Sequence, residues 1–226
     1  MARPRGAGAQ TEARVRDAAV RLFARQGFAA TGLRELATEA GLTAASLYHY
    51  MSSKEDLLVE IMRSTTEPLL DSAFALPADR PPEWRLAALV EAHVWTHGAR
   101  PMACLVSDTE LRALHHEHLT EIVALRDAYE HQWRAVVAEG AANGRFVVTD
   151  VQVASSGLLQ FATGVVHWYS PVGRLSLSRL CSTHADLALG MIRAHVGDRP
   201  VRRSDLDLPA PDARLPVTAI ERTLHG

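Results

Sequence analysis

Apolar residues recur along most of this chain with the 3.6-residue period of a helix, and nowhere with the two-residue period of a strand. Val15, Ala18, Ala19, Leu22 and Phe23 fall at i, i+3, i+4, i+7 and i+8, which predicts an amphipathic helix over Thr11 to Gln26, stopped by Gly27. Leu33, Leu36, Ala37 and Ala40 repeat the spacing in a helix of about two turns, opened at Thr31 or Gly32. Gly41 supplies the left-handed position that ends it, and Thr43 caps a third helix over Ala44 to Tyr50. A fourth helix is expected from about Ser53 to Leu76, with Leu57, Leu58, Ile61, Met62, Leu69 and Leu70 on one side and a kink at Pro68. Ser52 and Glu55 make an S-x-x-E capping box at its start, with Lys54 in the first turn.

Pro77, Pro81 and Pro82 mark a boundary, after which the pattern stays helical. Helices are predicted over 82–97, 102–114, 118–142, 151–168 and 176–196. The segment 151–168 is apolar on nearly every face, so it is expected to be buried all round, with Gly157 and Gly164 allowing close approach. Two strongly apolar final helices have a natural use: one side packs on the body and the other on a symmetry mate, making a homodimer through 151–168 and 176–196. The alternative is that both are core helices of a monomer. The predicted fold is all-α, in four parts. These are a flexible arm (1–10), a three-helix helix-turn-helix headpiece (11–54), a helical ligand-binding and dimerisation body (55–196) and an extended tail (197–226) that can dock through Leu206, Leu208 and Leu215.

Charge sharpens this picture. The whole chain carries −2, but residues 1–54 hold eight Arg or Lys against four Asp or Glu, net +4, which leaves −6 for the rest. A basic head on an acidic body suits a protein with one phosphate-facing end. Within the head, 43–50 leaves an uncharged outer face of Thr43, Ala44, Ala45, Ser46, Tyr48 and His49, while Leu47 and Tyr50 turn inward. Small residues permit close approach to a DNA major groove, and hydroxyls and imidazole reach base edges or phosphates. Arg3 and Arg5 form an arm suited to a minor groove, or else a solvated tail.

At these residues a family resemblance emerges. Gly27-Phe28, Thr31, Leu36-Ala37, Ala40-Gly41-Leu42-Thr43, Leu47-Tyr48-His49-Tyr50 and Ser53-Lys54-Glu55 together resemble the DNA-binding domain of the tetracycline-repressor (TetR) family of bacterial transcription regulators. The chain departs from the pattern at Met51, where the family usually has Phe, and at Gly32, where a second Thr or Ser is common. The resemblance implies a dimeric regulator, in the first instance a repressor. It would bind double-stranded palindromic DNA through Thr31, Thr43, Ala44, Ala45, Ser46, Tyr48, His49 and Lys54, and release it when a small hydrophobic effector enters the body. The effector-facing candidates are Trp84, His93, Trp95, His97, Met102, Arg126, Tyr129, Trp133, Phe161 and Trp168, with His167 beside them. LRDAYE (125–130), Glu139-Gly140 with Gly144-Arg145-Phe146, and WYSPVGRLS (168–176) resemble the subgroup whose effectors are acyl-CoA thioesters. That implies coenzyme A phosphates on Arg126 or Arg174, unless these motifs serve helix packing instead. A multidrug or other apolar sensor of the same family is the alternative, and a helical ligand-binding protein without DNA activity is the alternative of another class.

Other chemistry is thinly represented. G-x-S-x-G, a Walker loop, a strand-borne G-x-G-x-x-G and H-E-x-x-H are all absent, so an enzyme is not expected, nor a cofactor. His93 and His97 have a metal-ligand spacing and His115, His116 and His118 cluster, but no Cys or carboxylate group reinforces either, so no metal is predicted. Cys104 and Cys181 stand alone and read as buried thiols. With no apolar run long enough for a bilayer and no leading hydrophobic region, a cytoplasmic protein is expected.

Overall fold

The structure is a computed structural model that describes residues 7–215. Arg3 and Arg5 and the last eleven residues of the tail lie outside the described residues. Helices follow one another as α1 (Ala7–Gln26), α2 (Leu33–Glu39), α3 (Ala44–Leu47), α4 (Lys54–Phe74), α5 (Pro82–Ala99), α6 (Pro101–Thr109), α7 (His116–Ala142), α8 (Val151–Thr163), α9 (Leu177–Met191) and α10 (Pro211–Arg214). The all-α reading holds apart from one antiparallel pair, β1 (His195–Val196) with β2 (Arg199–Pro200), turned through Gly197 at φ +58°. That pair replaces the last turn of the helix expected to reach 196. Other ends also differ. The third helix is α-helical only to Leu47 before turns carry the chain to Tyr50, and 151–168 closes as a 3-10 turn over Gly164–His167. α4 runs unbroken through Pro68.

The chain forms two compact units, residues 1–66 with 102–124, and 67–101 with 125–226. In the first, the predicted stripes meet: Leu22, Phe23, Leu36, Leu47, Leu58, Ile61 and Met62 form one core, with Met51 filling the place of an aromatic. A headpiece of about fifty residues is small for a stable core, and here Val106, Leu114 and Ile122 from later in the chain enlarge it. Gly41, at φ +67°, makes the turn between α2 and α3, and the Thr43 hydroxyl accepts from the Ser46 N–H at 3.1 Å.

The start of α4 differs from the expected capping box. Ser53, not Ser52, is the cap, its hydroxyl accepting from the Asp56 N–H at 3.0 Å. Glu55 is thereby free for a different task. It accepts from the His115 backbone N–H at 2.7 Å, from His118 Nδ1 at 2.9 Å and from His115 Nδ1. Burial alone would raise the Glu55 carboxyl, but these bonds outweigh it and hold the pKa down at about 2. His118 moves up, through its bond to Glu55 against a cost of burial, helped by the charges of Glu55, Asp56 and Glu121.

In the second unit the helix buried all round is α5, not α8: Leu86, Ala87, Val90 and Val94 are fully enclosed, and so is Glu91. A buried carboxylate needs partners, and the tail supplies them. Arg203 Nε reaches Glu91 at 2.5 Å and Arg214 NH2 at 2.8 Å, while Trp84 Nε1 donates to the Asp207 carbonyl at 2.8 Å. Leu208 is buried and Leu206 and Leu215 pack beside it, so the described part of the tail is docked. Gly140 leaves room for the Phe146 ring, which a Cβ there would overlap, and Arg145 pairs with the buried Glu83.

Two outcomes follow from these ion pairs. Replacing Arg203 and Arg214 together by Met should cost about 3–5 kcal/mol in urea unfolding, because a buried charge is stranded, and adding Glu91→Met should recover most of that loss. For the Glu55 clasp, the Glu55 part is complete above its ordinary pKa of 4.5 and fades as pH falls through about 2. The His118 part is complete below the ordinary 6.5 and fades as pH rises through its raised value. The thermal margin of the unmodified chain over His118→Ala should therefore be widest between pH 4.5 and 6.5 and narrow on both sides. A margin flat with pH would contradict the clasp.

Candidate nucleic-acid interface and effector body

Around α3 the sequence places small residues outside and one leucine inside, and the structure does the same. Leu47 is fully buried and Tyr50 half-buried, while Thr43, Ala44, Ala45, Tyr48 and His49 are exposed, Tyr48 by 58%. Ser46 is half-buried, its hydroxyl paired with that of Thr43 at 2.9 Å.

Thr31 and Lys54, expected among the DNA-contacting residues, are turned to other work. Thr31 is buried and its hydroxyl donates to the Gly27 carbonyl at 2.9 Å. Lys54 Nζ donates to the carbonyls of Phe28 at 2.7 Å and Thr31 at 2.9 Å, and lies 4.2 Å from the Phe28 ring centre. Burial lowers the pKa of this ammonium. It bolts the α1–α2 turn to α4 and so holds the helix-turn-helix from behind.

The basic surplus of the headpiece resolves into paired and unpaired cations. Arg16, Arg21 and Arg25 are tied to Glu60, Glu39 and Glu35 at 2.5, 2.8 and 3.5 Å. Arg14 and Arg34 are exposed and make no ion pair among the described residues. These two were missed by motif reading. For Arg34 the signal was present, since no acidic residue stands three or four positions away to hold it along the helix.

The effector candidates do not line one cavity. His93, His97, Tyr129 and Trp133 form a packed cluster: His93 Nδ1 bonds the Tyr129 hydroxyl at 3.2 Å and its Nε2 the Thr163 hydroxyl at 3.0 Å, with the His97 ring stacked 4.0 Å away. His97 Nδ1 donates to the His93 carbonyl at 2.9 Å, so this pair is held for packing, not spaced for a metal. Burial, then the neighbouring His97, keeps His93 well below the usual imidazole range, and burial pushes the Tyr129 phenol up. Trp84 and Trp95 are buried, and Arg126 is half-buried. Phe161 and Trp168 stack on His184 at 4.9 and 5.8 Å, and His167 is exposed. Met102 belongs to the first unit and is at its surface. Among the described residues no group of three metal-ligating side chains occurs, and both cysteines are buried.

A cavity of about 180 Å³ opens elsewhere in the second unit, lined by Phe74, Leu76, Arg85, Leu89, Gln132 and Val136 among others. The Nε of Arg85 is buried without an acceptor, although its guanidinium also pairs with Glu139. Nothing in the sequence pattern marks this cavity, because Arg85 reads there as an ordinary surface position of an amphipathic helix.

No helix of the described residues is long and apolar enough to cross a membrane. Residues 15–61 match the bacterial regulatory proteins of the tetR family, and residues 79–192 match the tetracyclin repressor-like C-terminal domain. The chain is 29% identical to the HTH-type transcriptional repressor KstR2 of Rhodococcus jostii, over 79% of this chain and 90% of the relative. Among solved structures, a tetR-family regulatory protein from Rhodococcus RHA1 superposes with a TM-score of 0.75 at 26% identity, over 83% of this chain and 99% of that one. AibR, solved with isovaleryl coenzyme A and operator DNA, shares the fold at a TM-score of 0.68 and 21% identity, over 78% of this chain and 97% of that one. With the headpiece and the helical body both matched, the chain belongs to the tetR family of bacterial regulatory proteins and is a ligand-responsive, DNA-binding transcriptional repressor.

Proposed function

We propose that two copies of this chain join through the outer stripes of α8 and α9 and grip a palindromic operator with paired headpieces, residues 11–54. The observation that carries this reading is the apolar surface those helices leave open. Val153 on α8 and Leu187 and Met191 on α9 are 68%, 51% and 53% exposed. A Cβ added at Gly157, Gly164 or Gly190 would meet nothing within 4 Å, so these stripes are flat enough for another helix to approach. The apolar all-round character of 151–168 then finds its second face in a symmetry mate. Recognition helices set about 34–36 Å apart would read successive major grooves. Exposed Tyr48 and His49, with Arg14 and Arg34, would take base edges and phosphates.

The effector in this proposal is an acyl-CoA thioester. Support comes from the three subgroup motifs and from how the structure uses them. Gly140, Gly144, Arg145 and Phe146 serve the turn after α7, and Tyr129 and Glu130 serve contacts between helices, so those parts are explained by packing. Trp168 and Arg174, in the third motif, are left exposed and suit the adenine and phosphates of coenzyme A. AibR, of similar fold, was solved with such a thioester. The 180 Å³ cavity is too small for an acyl-CoA, so in this proposal the effector makes its own room in the packed body, which couples binding to a change of state.

Two measurements test these parts separately. Leu187→Glu with Met191→Glu should turn the dimer into a monomer by light scattering and weaken operator binding by about a hundredfold, since like charges would face each other at the two-fold axis. A dimer that survives both would overturn the seam. In mobility-shift titrations, acyl-CoA thioesters should release DNA where free acids, lipophilic drugs and coenzyme A alone do not, and Arg174→Ala should raise the required concentration about tenfold. Release by drugs or acids, with none by any thioester, would overturn the effector and leave the operator reading standing.

A further inference from the structure

The cavity of about 180 Å³ lies between the end of α4, the start of α5 and the second half of α7, and neither the dimer seam nor the acyl-CoA uses it. Leu76, Leu89 and Val136 form its apolar walls, and the exposed Phe74 marks its open side. Two polar groups reach it. The Arg85 side chain is mostly buried, and its guanidinium pairs through one nitrogen with the more exposed carboxylate of Glu139. Its Nε is buried and has no acceptor among the described residues, which is a costly way to leave a donor. Gln132 is half-buried beside it, and its amide makes no hydrogen bond among the described residues.

Water accounts poorly for this space. Filling it would take roughly six molecules, each needing two to four polar partners, and two polar side chains cannot supply them. An apolar cavity of about 150 Å³ holds a benzene-sized guest, so this one has room for a six-membered ring with one or two further atoms. The Arg85 Nε–H calls for an acceptor on that guest. Glu139 already balances the guanidinium charge, so a carboxylate on the guest would be a second, largely desolvated anion beside the first. A neutral oxygen carries no such cost.

We infer that this cavity is a second ligand site, separate from that of the effector, for compact neutral molecules of one ring's size that carry a single acceptor oxygen, such as cyclic ketones. Arg85 Nε is the donor, and Leu76, Leu89 and Val136 take the ring. The site stands whether or not the effector is an acyl-CoA.

Methyl NMR of the full chain at pH 7 tests this with three probes of similar size: cyclohexanone, toluene, which lacks the oxygen, and cyclohexanecarboxylate, which is charged. Cyclohexanone should shift the methyl signals of Leu76, Leu89 and Val136 with half-saturation at about 1 mM, and the other two probes should be about tenfold weaker, the worth of one hydrogen bond from a charged donor. Arg85→Met should bring cyclohexanone to the level of toluene. Ala135→Trp, made at an exposed position of the rim, should close the cavity and remove the shifts with all three probes while the melting temperature holds. Toluene or cyclohexanecarboxylate within twofold of cyclohexanone would overturn the neutral-acceptor assignment. Shifts confined to methyls outside the cavity, or none up to about 10 mM, would overturn the site. Release of DNA by acyl-CoA thioesters should persist in Ala135→Trp, and its loss there would overturn the separation of the two sites.

Discussion

The exposed face of α3 depends on two adjacent charges that point away from it. Lys54 hands its ammonium to the carbonyls of Phe28 and Thr31, and Glu55 takes the donors of His115 and His118. A carbonyl pair and an aromatic face form a good substitute for water around a cation, and three donors do the same for a carboxylate. The first turn of α4 thus grips the α1–α2 turn through one residue and the start of α7 through the next. With position fixed from behind, α3 needs no charge of its own, and a four-residue helix can be held by one buried leucine and one threonine cap.

That division of labour accounts for what the sequence disclosed and what it hid. Helix-period stripes, Gly41 and Thr43 were legible because each depends on neighbours within one or two turns. The roles of Lys54 and Thr31 were not. Motif spacing marks a lysine at the first turn of a helix but cannot tell whether its ammonium meets a phosphate or a carbonyl 26 residues earlier. Glu55 was misassigned for the same reason: S-x-x-E is satisfied locally on paper, yet partners 60 and 63 residues away compete for the carboxylate and win. The outer face of 43–50 was readable because its evidence is a lack, of charge and of bulk, that no distant contact can disguise.

In the body the limits were of another kind. Burial of α8 was read from its apolar content alone, while α5, which carries Glu83, Glu91, His93 and His97, is the helix enclosed on all sides. Polar residues masked it. Three of them have partners brought from far along the chain: Arg145 for Glu83, Arg203 and Arg214 for Glu91, Tyr129 and Thr163 for His93. A hydropathy pattern scores such residues as surface, although paired they are core.

The same accounting bears on how a signal can leave the body. Apolar contacts lose free energy gradually as they slide, whereas a buried carboxylate or an imidazole with both nitrogens bonded loses it abruptly when a partner departs. α5 is lined with groups of the second kind. A helix of that sort resists small displacements and yields to large ones, which is the behaviour a two-state element requires. An effector that exchanges its own polar groups for the Tyr129 and Thr163 bonds of His93 would move α5 between discrete arrangements and not along a continuum. The polar residues that hid α5 from the sequence reading are therefore the ones whose partners would be costliest to displace.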